Sequence, residues 1–228
     1  MTAAPDHPTS AAAASQPDGV VTAAEIERKF EPPPDFRLPD LSDVDGVAAL
    51  SQARRHHLDA TYLDTPDLRL LAHRMTLRRR TGGDDAGWHL KRPRTDGERD
   101  ELRAPLGPAG AGLPGALRGP LEAVLRGAEP APVVRLVTDR TLHELLADTG
   151  AVLAEIAQDE VSALVLNPDG SVASTSTWSE IEVELVTGGL DLLAEVGRRL
   201  QDAGAPPSAS VSKLARALER RAGDTGDD

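Results

Sequence analysis

The sequence predicts an α+β fold in which eight strands close into an antiparallel barrel, polar inside and flanked by helices. Three observations predict it. Eight segments of strand length occur, many of them separated by Gly-, Pro- or Asp-rich breaks. Several alternate charged with apolar residues, which gives a strand one polar and one apolar face. Helical spacing is confined to the links and to the last third of the chain. Strands of this kind suit a barrel with a polar lumen and a covered or solvated outside.

In chain order, residues 1–22 are rich in Ala, Pro and Ser without periodicity and are expected to be disordered, as are 222–228. The folded domain is expected over 23–221. The first strand covers Ala24 to Phe30 and is stopped by Pro32-Pro33-Pro34. Leu41 to Leu50 reads as a short helix capped by Ser42 or Asp43. His56 to Asp64 is a strand, and Thr65-Pro66-Asp67 opens a turn running to Leu71. Three strands follow closely, at Met75–Thr81, Gly87–Arg92 and Glu98–Arg103. Gly82-Gly83-Asp84-Asp85 and Arg94-Thr95-Asp96-Gly97 are their hairpin connections. A helix near Leu117–Leu125 precedes strands at Val133–Leu142 and Val152–Leu166. Asn167-Pro168-Asp169-Gly170 is a turn before the strand Ser179–Val186. Helices at Leu190–Ala203 and Ser210–Arg221 end the domain.

Composition narrows the chemistry. The 228 residues contain no cysteine, so disulfides and thiolate metal sites are excluded. No apolar run reaches the length of a membrane span, and the N-terminus lacks the basic start and apolar stretch of a secretory signal. A cytoplasmic protein without membrane contact is expected, as monomer or homodimer. Net charge is −12, from 25 Lys+Arg against 37 Asp+Glu, which argues against binding a nucleic-acid duplex. Within this acidic chain, positions 69–103 form a cationic stretch. Such a centre suits a small polyanion, because the surrounding negative surface repels a long one. The five aromatic residues, Phe30, Phe36, Tyr62, Trp88 and Trp178, are too few for a base-stacking platform.

The informative constellation is Glu25-Ile26-Glu27-Arg28-Lys29. As a helix, Glu25 and Lys29 form an ordinary i,i+4 surface pair. As a strand, Glu25, Glu27 and Lys29 share a face, and the prolines soon after Phe30 favour the strand. Glu180-Ile181-Glu182-Val183-Glu184 repeats the alternation. Like charges along one strand face repel unless cations stand opposite. Hard carboxylate ligands suit Mg²⁺ or Mn²⁺. Between these segments, Arg78 and Arg80 share a face with Arg79 on the other. His89 with Lys91, and Glu101 with Arg103, repeat the two-residue spacing on the next strands. Arg140 lies on a later strand with Arg135 on its opposite face, and Asp159 follows with Glu155 four residues before it. Arginine makes bidentate contacts to phosphate, and lysine acts as a point charge. Phosphate-binding loops and nucleophile elbows are absent, and adjacent His56-His57 face opposite ways.

In this order, Glu25-x-Glu27-x-Lys29, Tyr62-Leu63-Asp64-Thr65, Leu77-Arg78-Arg79-Arg80-Thr81-Gly82, Trp88-His89-Leu90-Lys91, Asp159-Glu160-Val161, Glu180-Ile181-Glu182-Val183-Glu184 and Ser212-Lys213-Leu214 resemble the CYTH domain, or triphosphate tunnel metalloenzyme family, over about 23–221. The resemblance implies a closed eight-stranded barrel with a charged lumen. It implies metal ligands at Glu25, Glu27, Asp159, Glu182 and Glu184. It implies triphosphate contacts at Lys29, Arg78, Arg80, Lys91, Arg140 and Lys213, with Arg103 and Glu101 on the same face. One departure is that no Lys or Arg lies between Arg135 and Arg140. Some bacterial relatives carry a helical CHAD domain after this region, and the sequence here is expected to hold the tunnel domain alone.

The expected activity is divalent-metal-dependent hydrolysis of a terminal phosphoanhydride in an inorganic or organic triphosphate. One ion would orient the triphosphate against the glutamates, and a second would activate water. Glu27 and Lys29 are the expected catalytic residues, the base being a lumen carboxylate or a deprotonated Lys29. The rival readings are an adenylate cyclase, which also needs a base pocket, and a polyphosphate binder without catalysis.

Overall fold

The computed structural model describes residues 14–15, 21–94 and 99–224. The strands are β1 (Ala14–Ser15), β2 (Val21–Glu25), β3 (Glu27–Phe30), β4 (Ala49–Leu50), β5 (Arg54–Asp64), β6 (Thr76–Thr81), β7 (Gly87–Pro93), β8 (Arg99–Ala104), β9 (Ala131–Leu146), β10 (Val152–Leu166) and β11 (Val172–Leu185). The helices are α1 (Arg69–Ala72), α2 (Gly115–Leu125), α3 (Leu190–Asp202) and α4 (Lys213–Asp224). The strands form one antiparallel sheet in the order β1-β2-β8-β7-β6-β5-β9-β10-β11-β3, with β4 added on β9.

The sheet curls into an open half-barrel, which corrects the expectation of a closed one. No described ladder joins its two sides to each other. They are instead consecutive in the chain: β2 pairs with β8, β3 pairs with β11, and the two strands meet at Ile26. The expected strand Ala24–Phe30 is therefore two strands serving opposite edges. That split, with the two-residue strands β1 and β4, gives eleven described strands rather than eight. Val21 and Thr22 lie in β2, and Ala14–Ser15 pair with them, so part of 1–22 is ordered. The rest of that expected tail, the turn residues 95–98 and the tail residues 225–228 lie outside the described residues.

The expected helix at Leu41–Leu50 is absent. Asp40 accepts the Ser42 N–H at 2.9 Å, and turn bonds run from Val44 to Leu41 and from Val47 to Val44. Gly46, at φ 80°, then leaves the helical region, and Ala49–Leu50 join the sheet through Leu146 and Leu145. The helix-like spacing of Leu41, Val44 and Val47 reflects their shared burial with Val196 and Leu200 of α3.

Two apolar clusters cover the outer face. One joins Phe30, Ile156, Ile181 and Val183 to α3, and the other joins Leu77, Leu90 and Leu102 to α1 and α2. A third cluster packs Leu214 and Ala217 of α4 against Val134, Leu136, Val161 and Trp178. These strand residues alternate in step with Arg140 and Asp159, so α4 fills one end of the concave face. Ser212 caps α4 by accepting the Ala215 N–H at 3.1 Å. That cap places Lys213 where the helix meets the open cavity.

Candidate functional site

A cavity of about 1460 Å³ occupies the concave face. Twelve of the thirteen residues that the resemblance singles out line it: Glu25, Glu27, Lys29, Arg78, Arg80, Lys91, Glu101, Arg103, Arg140, Glu182, Glu184 and Lys213. Asp159 is buried directly behind Arg140 and Lys213. Register explains the gathering. Lys29 stands opposite Glu182 and Glu27 opposite Glu184 on β3–β11. Arg78 stands opposite Tyr62 and His89, and Lys91 opposite Glu101.

The five carboxylates expected to ligate metal do not form one set. Glu25, Glu27 and Glu184 place oxygens within 4.8 Å of one another, and Asp159 and Glu182 do so in a second group with Glu180. The second group is already filled by cations. Lys213 Nζ lies 3.0 Å from Asp159, 2.5 Å from Glu180 and 2.8 Å from Glu182. Arg140 donates two 2.7 Å bonds to Asp159 and one of 2.9 Å to Glu182. Burial pushes Glu182 up, but Lys213, Lys29 and Arg140 outweigh it and hold the carboxyl well below its usual range. Asp159 is lowered in the same way, against its burial, by Lys213 and Arg140.

The first group is less compensated. Lys91 donates to one Glu25 oxygen, while the other oxygen is buried without a hydrogen-bond partner among the described residues. Lys29 Nζ lies 2.8 Å from Glu27 and also donates to Glu182. Burial raises Glu25. Burial also raises Glu27, but Lys29 and Lys91 bring it below its ordinary value. Glu184 is pushed up to about 7, by burial first and then by Glu25, with Lys91 opposing. A buried carboxylate oxygen without a donor, beside two further carboxylates, fits a hard divalent cation. These three residues therefore fit a hard divalent cation such as the Mg²⁺ or Mn²⁺ expected from the sequence.

Lys29 is not placed to act as a free amine. Burial alone would lower it, but Glu182 and Glu27 outweigh that and raise it above the ordinary lysine value. Glu27 and Glu182 thus hold Lys29 as a cation.

The arginine wall lies on β6 and β8. Arg78 Nη1 donates to the Tyr62 hydroxyl at 3.2 Å, and its Nη2 lies 3.9 Å from Glu101. Arg103 donates to Glu101 at 2.5 Å, and Arg80 pairs with Asp85. Burial and the adjacent Arg78 pull Arg80 down to about 10, with Asp85 opposing. Arg135 points the other way, to Asp59, as its place on the strand predicts. Sequence reasoning left Glu180 out of the ligand candidates although it belongs to the same alternating run. It gave no sign of Asp85, a turn residue, or of Arg54 and His56, which also line the cavity.

The concave face is thus an antiparallel half-barrel lined by interleaved acidic and basic side chains. The chain is a member of the CYTH domain family, whose profile matches residues 23–218. That family binds triphosphate-containing small molecules. Two uncharacterized proteins of Mycobacterium tuberculosis, from strains CDC 1551 and H37Rv, are each 39% identical over 204 residues. The match covers 85% of this chain and 40% of each relative, so the chain spans less than half the length of these relatives. Among solved structures, a candidate adenylate cyclase from Bacillus halodurans shares the fold at a TM-score of 0.60 and 17% identity, covering 86% of this chain and 97% of that one. No helix among the described residues is long and apolar enough to cross a membrane.

Proposed function

We propose that this chain hydrolyses the terminal phosphoanhydride of a triphosphate with a divalent cation held by Glu25, Glu27 and Glu184. One observation carries the reading. A carboxylate triad with an unsatisfied buried oxygen faces arginines and lysines across a single cavity. Arg78, Arg80, Arg103 and Arg140 offer forked donors for phosphoryl oxygens, and Lys29, Lys91 and Lys213 supply fixed point charges. Mg²⁺ or Mn²⁺ bound at the triad supplies charge neutralisation and makes a coordinated water more acidic.

The chain's own side chains do the rest. They hold the triphosphate extended, so that a water oxygen meets the terminal phosphorus opposite the bridging oxygen. As the new P–O bond forms, the bond to that bridging oxygen breaks and diphosphate leaves. The proton of the water passes to a cavity carboxylate. Arginines beside the transferred group stabilise the charge spread over its oxygens.

The cyclase reading has less support. A purine needs a stacking or apolar pocket, and Tyr62 is the sole Phe, Tyr or Trp among the described lining residues. Its hydroxyl accepts from Arg78.

The test is phosphate release from tripolyphosphate with Mg²⁺ or Mn²⁺, with ATP run in parallel for cyclic AMP. Wild type is expected to release phosphate, and Glu27→Ala to release it at least about 100-fold more slowly. No release by wild type, an unaffected Glu27→Ala, or cyclic AMP as the main product would overturn the reading.

A further inference from the structure

Asp85 is the one acidic residue of the β6–β7 turn that reaches the arginine wall. Its carboxylate pairs with Arg80 and lies 3.9 Å from Arg103. Both arginines line the cavity where a phosphate chain would lie. Arg80 is otherwise in a cationic crowd with Arg78 and Arg140, and its buried Nε has no hydrogen-bond partner among the described residues.

The turn that carries Asp85 is built into the sheet. Gly82 and Gly83 sit at φ 80° and 72°. A Cβ at Gly82 would lie 2.0 Å from the His57 carbonyl oxygen, so the turn presses on β5 and admits no other residue there. At its far side, buried His89 has Nε2 2.9 Å from the Asp85 carbonyl oxygen and Nδ1 3.0 Å from Glu101. The backbone at Asp85 is thus tied to β7 and, through His89 and Glu101, to β8, while the described ion pairs of its carboxylate are those with Arg80 and Arg103.

We propose that Asp85 is a tethered counter-anion: its carboxylate takes the place of one phosphoryl group on Arg80 and Arg103, and a polyphosphate must displace it to bind. The proposal rests on the reading of the cavity as a polyphosphate site and adds a residue that sets how strongly the site binds. A carboxylate and a phosphoryl group compete for the same guanidinium donors. Displacement leaves the Asp85 charge beside the ligand, so the free energy of binding is reduced by the lost pair and by repulsion. A residue that merely orients Arg80 would have the opposite effect, because its removal would weaken binding.

The experiment is calorimetric titration of the full chain with inorganic tripolyphosphate in EDTA at low salt, which reads binding without turnover. Asp85→Asn is expected to bind roughly tenfold more tightly than wild type. Asp148→Asn makes the same change in net charge at an exposed residue of the β9–β10 turn outside the cavity lining, and is expected to bind as wild type does. Asp85→Glu keeps the charge and is expected to bind no more tightly than wild type, which preserves the test should Asp85→Asn not fold. Equal or weaker binding by Asp85→Asn, tighter binding by Asp85→Glu, or an equal gain in Asp148→Asn would overturn the proposal while leaving the cavity reading intact. Absence of binding by wild type and every variant would overturn both.

Discussion

Glu27 and Glu184 stand directly opposite each other on the β3–β11 ladder. Two carboxylates at facing positions repel, and Glu25 adds a third charge to the same group. Burial first, and then the neighbouring Glu25 and Glu27, push Glu184 up to about 7. Because its folded value lies above the unfolded one, its contribution to stability is present below about pH 4.5 and is lost as pH rises through about 7. A divalent cation favours the charged form and reverses that loss. The rise in Tm on adding Mn²⁺ is therefore expected to be larger at pH 8 than at pH 6. Glu184→Gln is expected to stabilise the metal-free protein at pH 8 by about 1 kcal/mol and to shrink the Mn²⁺ effect. Thermal melts at the two pH values check this, and an equal Mn²⁺ effect at both would contradict it.

Lys213 is a cation in the first turn of α4, where a helix end disfavours positive charge. It is held there by Asp159, Glu180 and Glu182, and is raised well above the ordinary lysine value against its own burial by those carboxylates. Lys213→Met keeps the packing of the side-chain stem and removes the charge. Breaking a buried ion pair on one side costs about 3–5 kcal/mol. The cost depends on pH. Asp159 and Glu182 have lowered folded values, so they contribute stability above their unfolded values that is lost as pH falls. Without Lys213 their folded values rise and that contribution shrinks. The variant's deficit in urea unfolding is expected to be largest at pH 7–8 and to narrow toward pH 4–5. A deficit independent of pH would mean that Lys213 matters for packing rather than charge.

The site was legible in the sequence where it depends on period two. Glu27 and Lys29, Arg78 and Arg80, and Glu182 and Glu184 reach one cavity because alternate residues share a strand face, and Glu25 joins them from β2 across the break at Ile26. The division of the carboxylates was not legible. It depends on which cation stands opposite which acid, and Lys213 reaches Asp159 across more than fifty residues of chain. The break at Ile26 carries no Gly or Pro, so nothing local marks where one strand becomes two. Leu41, Val44 and Val47 misled because a string of turns packed on α3 buries every third residue, much as a helix does. Asp85 read as turn chemistry, since its partner Arg80 meets it only once the hairpin has closed.

Asp64, in the run Tyr62-Leu63-Asp64-Thr65, does not line the cavity. It is fully buried at the end of β5. Its Oδ1 accepts the N–H groups of Thr65 at 2.7 Å and Leu70 at 2.9 Å, and its Oδ2 accepts that of Leu71 at 3.0 Å. Those are donors that the four-residue α1 cannot satisfy itself, because Leu68 at its start is left-handed and offers no side-chain cap. The carboxylate therefore pins α1 and seats Leu70 against Leu77 and Leu117. Asp64→Ala strands those donors in a buried site and is expected to cost about 3 kcal/mol in urea unfolding. Asp64→Asn keeps one acceptor oxygen and is expected to cost about half as much. Since neither change touches the cavity, the folded fraction of each variant should release phosphate from tripolyphosphate at close to the wild-type rate. A large fall in that rate at full folding would instead place Asp64 in the working of the site, acting through the β5 strand that carries Tyr62 to Arg78.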